Sequence, residues 1–288
     1  IPEEMEIESF IHGSMCISYS GRCLLSNYFT GRDANQGSCT HPCRWKYAVM
    51  EETRPGEYLP VYENERGTYF FNSRDLCMIE HIPEMVEAGI NSFKIEGRMK
   101  TALYVATAAR TYRKALDDYF ISEETYRGNM EWYREEIAKC TYRQYSTGFY
   151  FGKADVNNQI YDNSTYVSEY IYLGLVEEIR PDGSSGGSAF PAACREGLQG
   201  AEQHTTATDG GKALVRIRQK NKFSVGDLIE IMKPDGRNVP VRVEAMYNEE
   251  GEAVGSCPHA GQTIWLRLSE APESYDLLRK SALPESQD

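Results

Sequence analysis

Four of the eight cysteines, Cys16, Cys23, Cys39 and Cys43, crowd the first part of the chain in the spacing C-x6-C-x15-C-x3-C; Cys77, Cys140, Cys194 and Cys257 are scattered singly. Thiolates hold structural zinc and iron–sulfur clusters, and four of them complete either site. The spacing is neither the paired C-x2-C of a zinc ribbon nor a ferredoxin run, so by itself it fits a metal-binding set or a group of buried structural thiols. Gly13, Gly21 and Gly37 favour the first, since wrapping closely round a centre needs permissive backbone. Lys94, Glu96 and Arg98 are a second candidate set. Alternation along a strand points all three to one side unless Gly97 breaks the register. They read either as an anion-binding and acid/base set or as a Lys94–Glu96 salt bridge. Arg216, Arg218, Lys220 and Lys222 also alternate, as a basic stripe for RNA phosphates or as a solvated strand face. Trp45, beside Arg44, is placed to stack on a base or to pack in a core. His12, His41, His81, His204 and His259 show no metal spacing and are given no role, and no local pattern pairs any of them with Cys16 or Cys23 as a nucleophile.

Elements must carry these groups. Met5–Ile11 alternates polar and apolar residues and predicts a strand. Residues 12–50 show little periodicity, and so long an irregular stretch needs an organiser, which a cluster would be. Tyr58–Tyr62 and Thr68–Phe71 predict a hairpin around Glu65-Arg66-Gly67. Ser73–Asp75 predicts the cap of a helix through Leu76, Ile79, Ile82, Met85 and Val86, ending at Ala88-Gly89. Ile90–Glu96 reads as a strand, Thr101–Tyr119 as an amphipathic helix and Ser122–Cys140 as a second helix. This is the rhythm of an α/β barrel or a doubly wound sheet. From about Ser164 the pattern becomes all-β, with strands at Tyr166–Glu178, Ala213–Gln219, Leu228–Met232, Val239–Met246 and Thr263–Leu268. Three regions follow: an α/β part over 1–120 carrying the cysteine-rich segment, a helical linker over 121–163, and a small β-barrel domain over 164–288 with a flexible Gly/Ser-rich insertion at 181–211.

The 288 residues carry a net charge of −12, which does not suit a broad duplex-coating face but leaves room for a local site that grips one RNA loop. No apolar run reaches the roughly 18–20 residues of a membrane span, and no signal leader is visible. The chain opens Ile1-Pro2-Glu3-Glu4 with its strongest motif close behind, as the last portion of a longer protein would. A tight cysteine cluster in a larger acidic chain points to a reducing compartment, and the expected location is the cytoplasm.

Glu8-x-Phe10-Ile11-x-Gly13-Ser14-Met15-Cys16-x4-Gly21-x-Cys23-x-Leu25-Ser26 resembles, position by position, the signature of peptidase family U32. The likeness continues through Asn35–Cys39, Cys43-Arg44-Trp45, Asn72-Ser73-x-Asp75-Leu76 and Phe93–Arg98, and into the β domain. The resemblance implies the last part of a TIM-like (β/α) barrel, with Glu8 and Phe10 on one late strand, Lys94 and Glu96 on another, and their ends at the catalytic mouth. It implies a 4Fe–4S cluster on Cys16, Cys23 and Cys39, with Cys43 as the fourth ligand and Cys77 as the alternative. It also implies hydroxylation of a tRNA or rRNA pyrimidine, most similar to the tRNA-wobble branch, with prephenate as a co-substrate. Glu8, Lys94, Glu96 and Arg98 would then be the catalytic set, and Arg44, Trp45, Arg216 and Arg218 the RNA contacts. The family name keeps a peptidase acting on a peptide substrate as the alternative, although no H-E-x-x-H zinc helix is present. A third reading is a non-catalytic cluster-bearing subunit that holds RNA or a partner.

Overall fold

A computed structural model of the chain describes residues 2, 4–16, 23–45, 48–50, 55–56, 58–60, 74–152, 167–181 and 213–282, with backbone alone at 44, 48–50, 58–60 and 181. These residues form two compact units, Ile1–Val167 and Ser168–Asp288. The first runs β1 (Glu8–Gly13), α1 (Leu25–Thr30), β2 (Ala48–Met50), β3 (Tyr58–Pro60), β4 (Asp75–Cys77), α2 (Ile82–Glu87), β5 (Ser92–Ile95), α3 (Ala102–Ile121), α4 (Glu123–Gly128), α5 (Met130–Ala138) and β6 (Tyr145–Ser146).

Its main sheet has the order β5-β1-β4-β6. β1 and β5 run parallel, as do β4 and β6, whereas β1 and β4 are antiparallel with His12 opposite Cys77. The described sheet is therefore mixed and open, where an all-parallel barrel wall was expected. The α3 face Tyr104, Ala108, Tyr112 and Ala115, at helical spacing, packs on Ile11, Leu76, Met78 and Ile82 and is flanked by Tyr126, Tyr133 and Ile137. Residues 123–138 thus contribute to this unit's core.

Two expected helices are corrected. Asp75–Cys77 is a strand, and the helix begins only at Ile82, with a proline in its first turn. Pro83 explains the late start: it lacks an N–H and is tolerated in the first turn but not the interior of a helix. The single helix over Ser122–Cys140 is two, broken at Asn129, with Ser122 Oγ capping the first through the Thr125 N–H at 3.0 Å. Of the expected hairpin, Tyr58–Pro60 pairs with Ala48–Met50. Its second strand, and all but the first residue of the 181–211 insertion, lie outside the described residues.

The second unit is a closed antiparallel barrel of β7 (Tyr170–Pro181), β8 (Ala213–Arg218), β9 (Leu228–Met232), β10 (Asn238–Tyr247), β11 (Thr263–Leu268) and β12 (Leu277–Ser281), in the order β10-β11-β8-β7-β12-β9. Alternate residues fill it, among them Val215, Ile217, Ile229, Ile231, Val241, Val243, Ile264 and Leu266. β12 was not expected, because an arginine interrupts its apolar pattern. Arg279 is fully buried, bonded to Glu230 at 2.9 Å and lying over the Tyr170 ring at 4.8 Å. Among the described residues no helix is long and apolar enough to cross a membrane.

Candidate functional site

The cysteine-rich segment is organised by short-range bonds. Gly31 and Gly37, both left-handed, end α1 and a 3-10 turn at Ala34–Gln36, and Asp33 caps that turn through the Asn35 N–H at 2.9 Å. Thr40 N donates to Ser26 Oγ at 3.0 Å, which stitches the stretch after Cys39 to the helix after Cys23. Cys39 Sγ accepts the His41 N–H at 3.3 Å. Cys16 is exposed, Cys23, Cys39 and Cys43 are half-buried, and none is in a disulfide. In donor chemistry this set fits a thiolate-held centre. Its geometry is not preformed: among the described residues, no three His, Cys, Asp or Glu side chains are grouped so as to hold a metal ion.

Cys77 differs from these. It sits on β4 with its sulfur 3.6 Å from the Tyr112 hydroxyl, and burial pushes its thiol up to about 11. A protonated strand thiol is a poorer ligand than a loop thiol such as Cys43.

The β1–β5 pairing brings Glu8 and Lys94 together. Lys94 Nζ donates to Glu8 Oε1 at 2.6 Å, and Ser92 Oγ donates to Oε2 at 3.1 Å. The Lys94 bond, the Ser92 bond and the lysine charge hold the Glu8 carboxyl below its ordinary value. Lys94 also lies 5.2 Å from the Phe10 ring centroid. Glu96 and Arg98 go elsewhere, because β5 ends at Ile95 and alternation ends with it. Glu96 Oε1 accepts the Arg98 N–H at 3.2 Å. The Arg98 guanidinium donates to the Gln36 carbonyl at 3.2 Å and lies so close to Gly37 that a Cβ there would sit 2.5 Å from Cζ. The expected trio therefore divides into an exposed ion pair, a half-buried carboxylate, and an arginine that reaches the cysteine-rich segment.

His12, given no role from the sequence, occupies the interior of the unit. A register shift between Phe10 and His12 sets two β1 residues against one step of β5 and turns the imidazole inward, where it is 0% exposed. Its ring is boxed by Tyr104, Tyr112 and Tyr145 at 5.4–5.6 Å between centroids. Desolvation, with a smaller contribution from the Lys100 charge, pushes it down to about 3, so it is neutral at physiological pH. Burial likewise raises Tyr104 well above the usual phenol value. The bulge that creates this placement cannot be read from alternation, which would have put His12 beside Glu8 and Phe10.

Trp45 is 44% exposed and ends a row of exposed rings, with Phe29 at 5.8 Å and Tyr28 a further 5.1 Å on. Of Arg44, only the backbone is described. On the barrel, Arg216 and Arg218 share the outer face of β8, as alternation expects. Arg216 is compensated by Glu178 at 3.2 Å and Glu177 at 3.6 Å, and with Arg180 it flanks the Trp265 ring; Arg218 is exposed.

Comparison with known proteins then gives two family matches: the model of peptidase family U32 over residues 1–160 and that of the U32 C-terminal domain over residues 204–279. A tRNA hydroxylation protein P1 of Bacillus subtilis is 34% identical over 96% of this chain and 58% of its own length. A tRNA hydroxylation protein P of Escherichia coli is 33% identical over 96% of this chain and 63% of its own. A collagenase of Porphyromonas gingivalis is 34% identical over 52% of this chain and 34% of its own. The chain thus spans about three-fifths of the first two relatives.

Proposed function

Since the chain belongs to peptidase family U32, we propose that it serves an iron–sulfur-dependent tRNA modification, the hydroxylation of a uridine. One observation carries this reading: likeness to two tRNA hydroxylation proteins runs through 96% of the chain, cysteine-rich segment and β-barrel alike. In this reading the parallel β1–β5 pair belongs to the last part of a (β/α) barrel. Cys16, Cys23, Cys39 and Cys43 hold a 4Fe–4S cluster, with Cys43 preferred over Cys77 because its thiol lies in the same loop and not on a core strand. When bound, such a cluster supplies electron transfer or shapes the substrate site.

The chain's own residues have separable tasks. Lys94, steadied by Glu8, and Arg98 are the cations for a carboxylate co-substrate such as prephenate, or for a phosphate. Glu96 is the carboxylate nearest the strand end. The exposed rings of Trp45, Phe29 and Tyr28 suit base stacking, with Arg44, next to Trp45 in sequence, and Arg216 and Arg218 on the barrel as phosphate contacts.

The test compares modified nucleosides in tRNA from cells with and without the gene. Loss of a hydroxylated uridine, restored by the intact gene, is the expected result; an unchanged nucleoside profile overturns the reading. The collagenase likeness keeps proteolysis as the second reading. Cleavage of a collagen-like peptide by the full protein, abolished by Cys16→Ala, would favour it.

A further inference from the structure

The interior of the first unit holds polar groups that neither the cysteines nor the Glu8–Lys94 pair accounts for. Among the described residues, His12 Nε2, Tyr104 Oη and Glu96 Oε2 are buried without a hydrogen-bond partner. The first two belong to side chains that are 0% and 2% exposed, with rings 5.6 Å apart. Leaving such atoms unsatisfied is costly, and native interiors rarely tolerate several together. Glu96 belongs to the same neighbourhood: its N–H donates to the His12 carbonyl at 2.8 Å, and its charge is felt by the Tyr104 hydroxyl.

Local bonds fix what His12 offers. The Tyr112 hydroxyl donates to the Ile11 carbonyl at 2.9 Å and accepts the Met78 N–H at 2.9 Å. Its proton is committed, so the His12 Nδ1 lying 3.5 Å away can engage it only as a donor. That selects the Nδ1–H tautomer and leaves a bare lone pair on Nε2. Tyr104 supplies an O–H and an acceptor oxygen.

We propose that His12 and Tyr104 form a buried site for a single O–H group, which donates to His12 Nε2 and accepts from the Tyr104 hydroxyl. Two features support it: the β-bulge that turns the imidazole inward, and the unpartnered Nε2 and Oη that the two neighbouring side chains then bury together. Anions are disfavoured by the Glu96 carboxylate, whose charge reaches the Tyr104 hydroxyl. An O–H group comes either from water or from the hydroxyl of a small molecule, and the two are separable. Such a site stands whether or not the substrate is tRNA.

The experiment uses the full chain with 15N-labelled histidine; with five imidazoles, His12 is assigned by the resonance lost in His12→Gln. The expected spectrum shows Nδ1 protonated and Nε2 unprotonated. A long-lived water contact to the His12 ring, lost in Tyr104→Phe, identifies water as the ligand. No such contact, but a saturable shift of Nε2 on adding ethanol that Tyr104→Phe abolishes, identifies a small-molecule hydroxyl. A protonated Nε2 in the wild-type chain, or the absence of both responses there, overturns the proposal.

Discussion

Glu8 and Lys94 meet across two parallel strands at a half-exposed position, so their attraction is screened by water and salt and contributes little to stability. It still tunes the carboxyl. Because the Glu8 value is depressed, the pair is fully formed above the ordinary carboxylate range and is lost as pH falls through the lowered value. Lys94→Gln is expected to let Glu8 climb back toward its ordinary value, read by a 13C titration of the carboxyl. The buried Arg110–Glu136 pair behaves differently, with both side chains at 3% exposure or less and Lys139 also bonded to Glu136 at 3.0 Å. Glu136→Gln removes a buried counter-charge from the guanidinium and should cost about 3–5 kcal/mol in urea unfolding. Nothing in the sequence marks Glu136, which reads like any helix-surface glutamate until α3 is packed against α5. At the cysteines the expected outcome is selective: Cys16, Cys23, Cys39 or Cys43→Ser lowers bound iron in anaerobically purified full protein, whereas Cys140→Ser does not. Equal loss at Cys140 would point to general unfolding instead of ligation.

Strands and helices were legible where one period dominates. Leu228–Met232 and Thr263–Leu268 fall where alternation puts them, and α3 follows its apolar stripe. Single residues defeated the pattern elsewhere: Pro83 delays α2, Asn129 breaks the following helix, and the buried Arg279 hides β12. The β1 bulge was invisible because it depends on the partner strand, and with it went His12 as a candidate. The cysteine set and the Glu8, Lys94 and Arg98 positions could be named from residue types and motif, but partners such as Ser92 for Glu8, Gln36 for Arg98 and the His41 N–H for Cys39 could not. Gly13 belongs to this scale. Its φ is +129°, and a Cβ there would lie 2.6 Å from that of Glu96. Gly13→Ala should therefore cost about 1–3 kcal/mol, measured by thermal or urea unfolding.

Across the whole molecule, the two units have separate cores. The barrel closes on itself through β12, which pairs with both β7 and β9. Residues 168–282 expressed alone should unfold in one cooperative transition, followed by Trp265 fluorescence. Removing residues 277–282 opens two sheet edges and exposes the apolar lining, so that fragment should lose the transition and aggregate.

One consequence lies in the contact between Arg98 and Gly37. The arginine fills the volume a side chain at position 37 would take and grips the carbonyl just before it, two residues from Cys39. The loop after β5 is thereby tethered to the sulfur-bearing segment by one hydrogen bond and one close contact, both made by a single side chain.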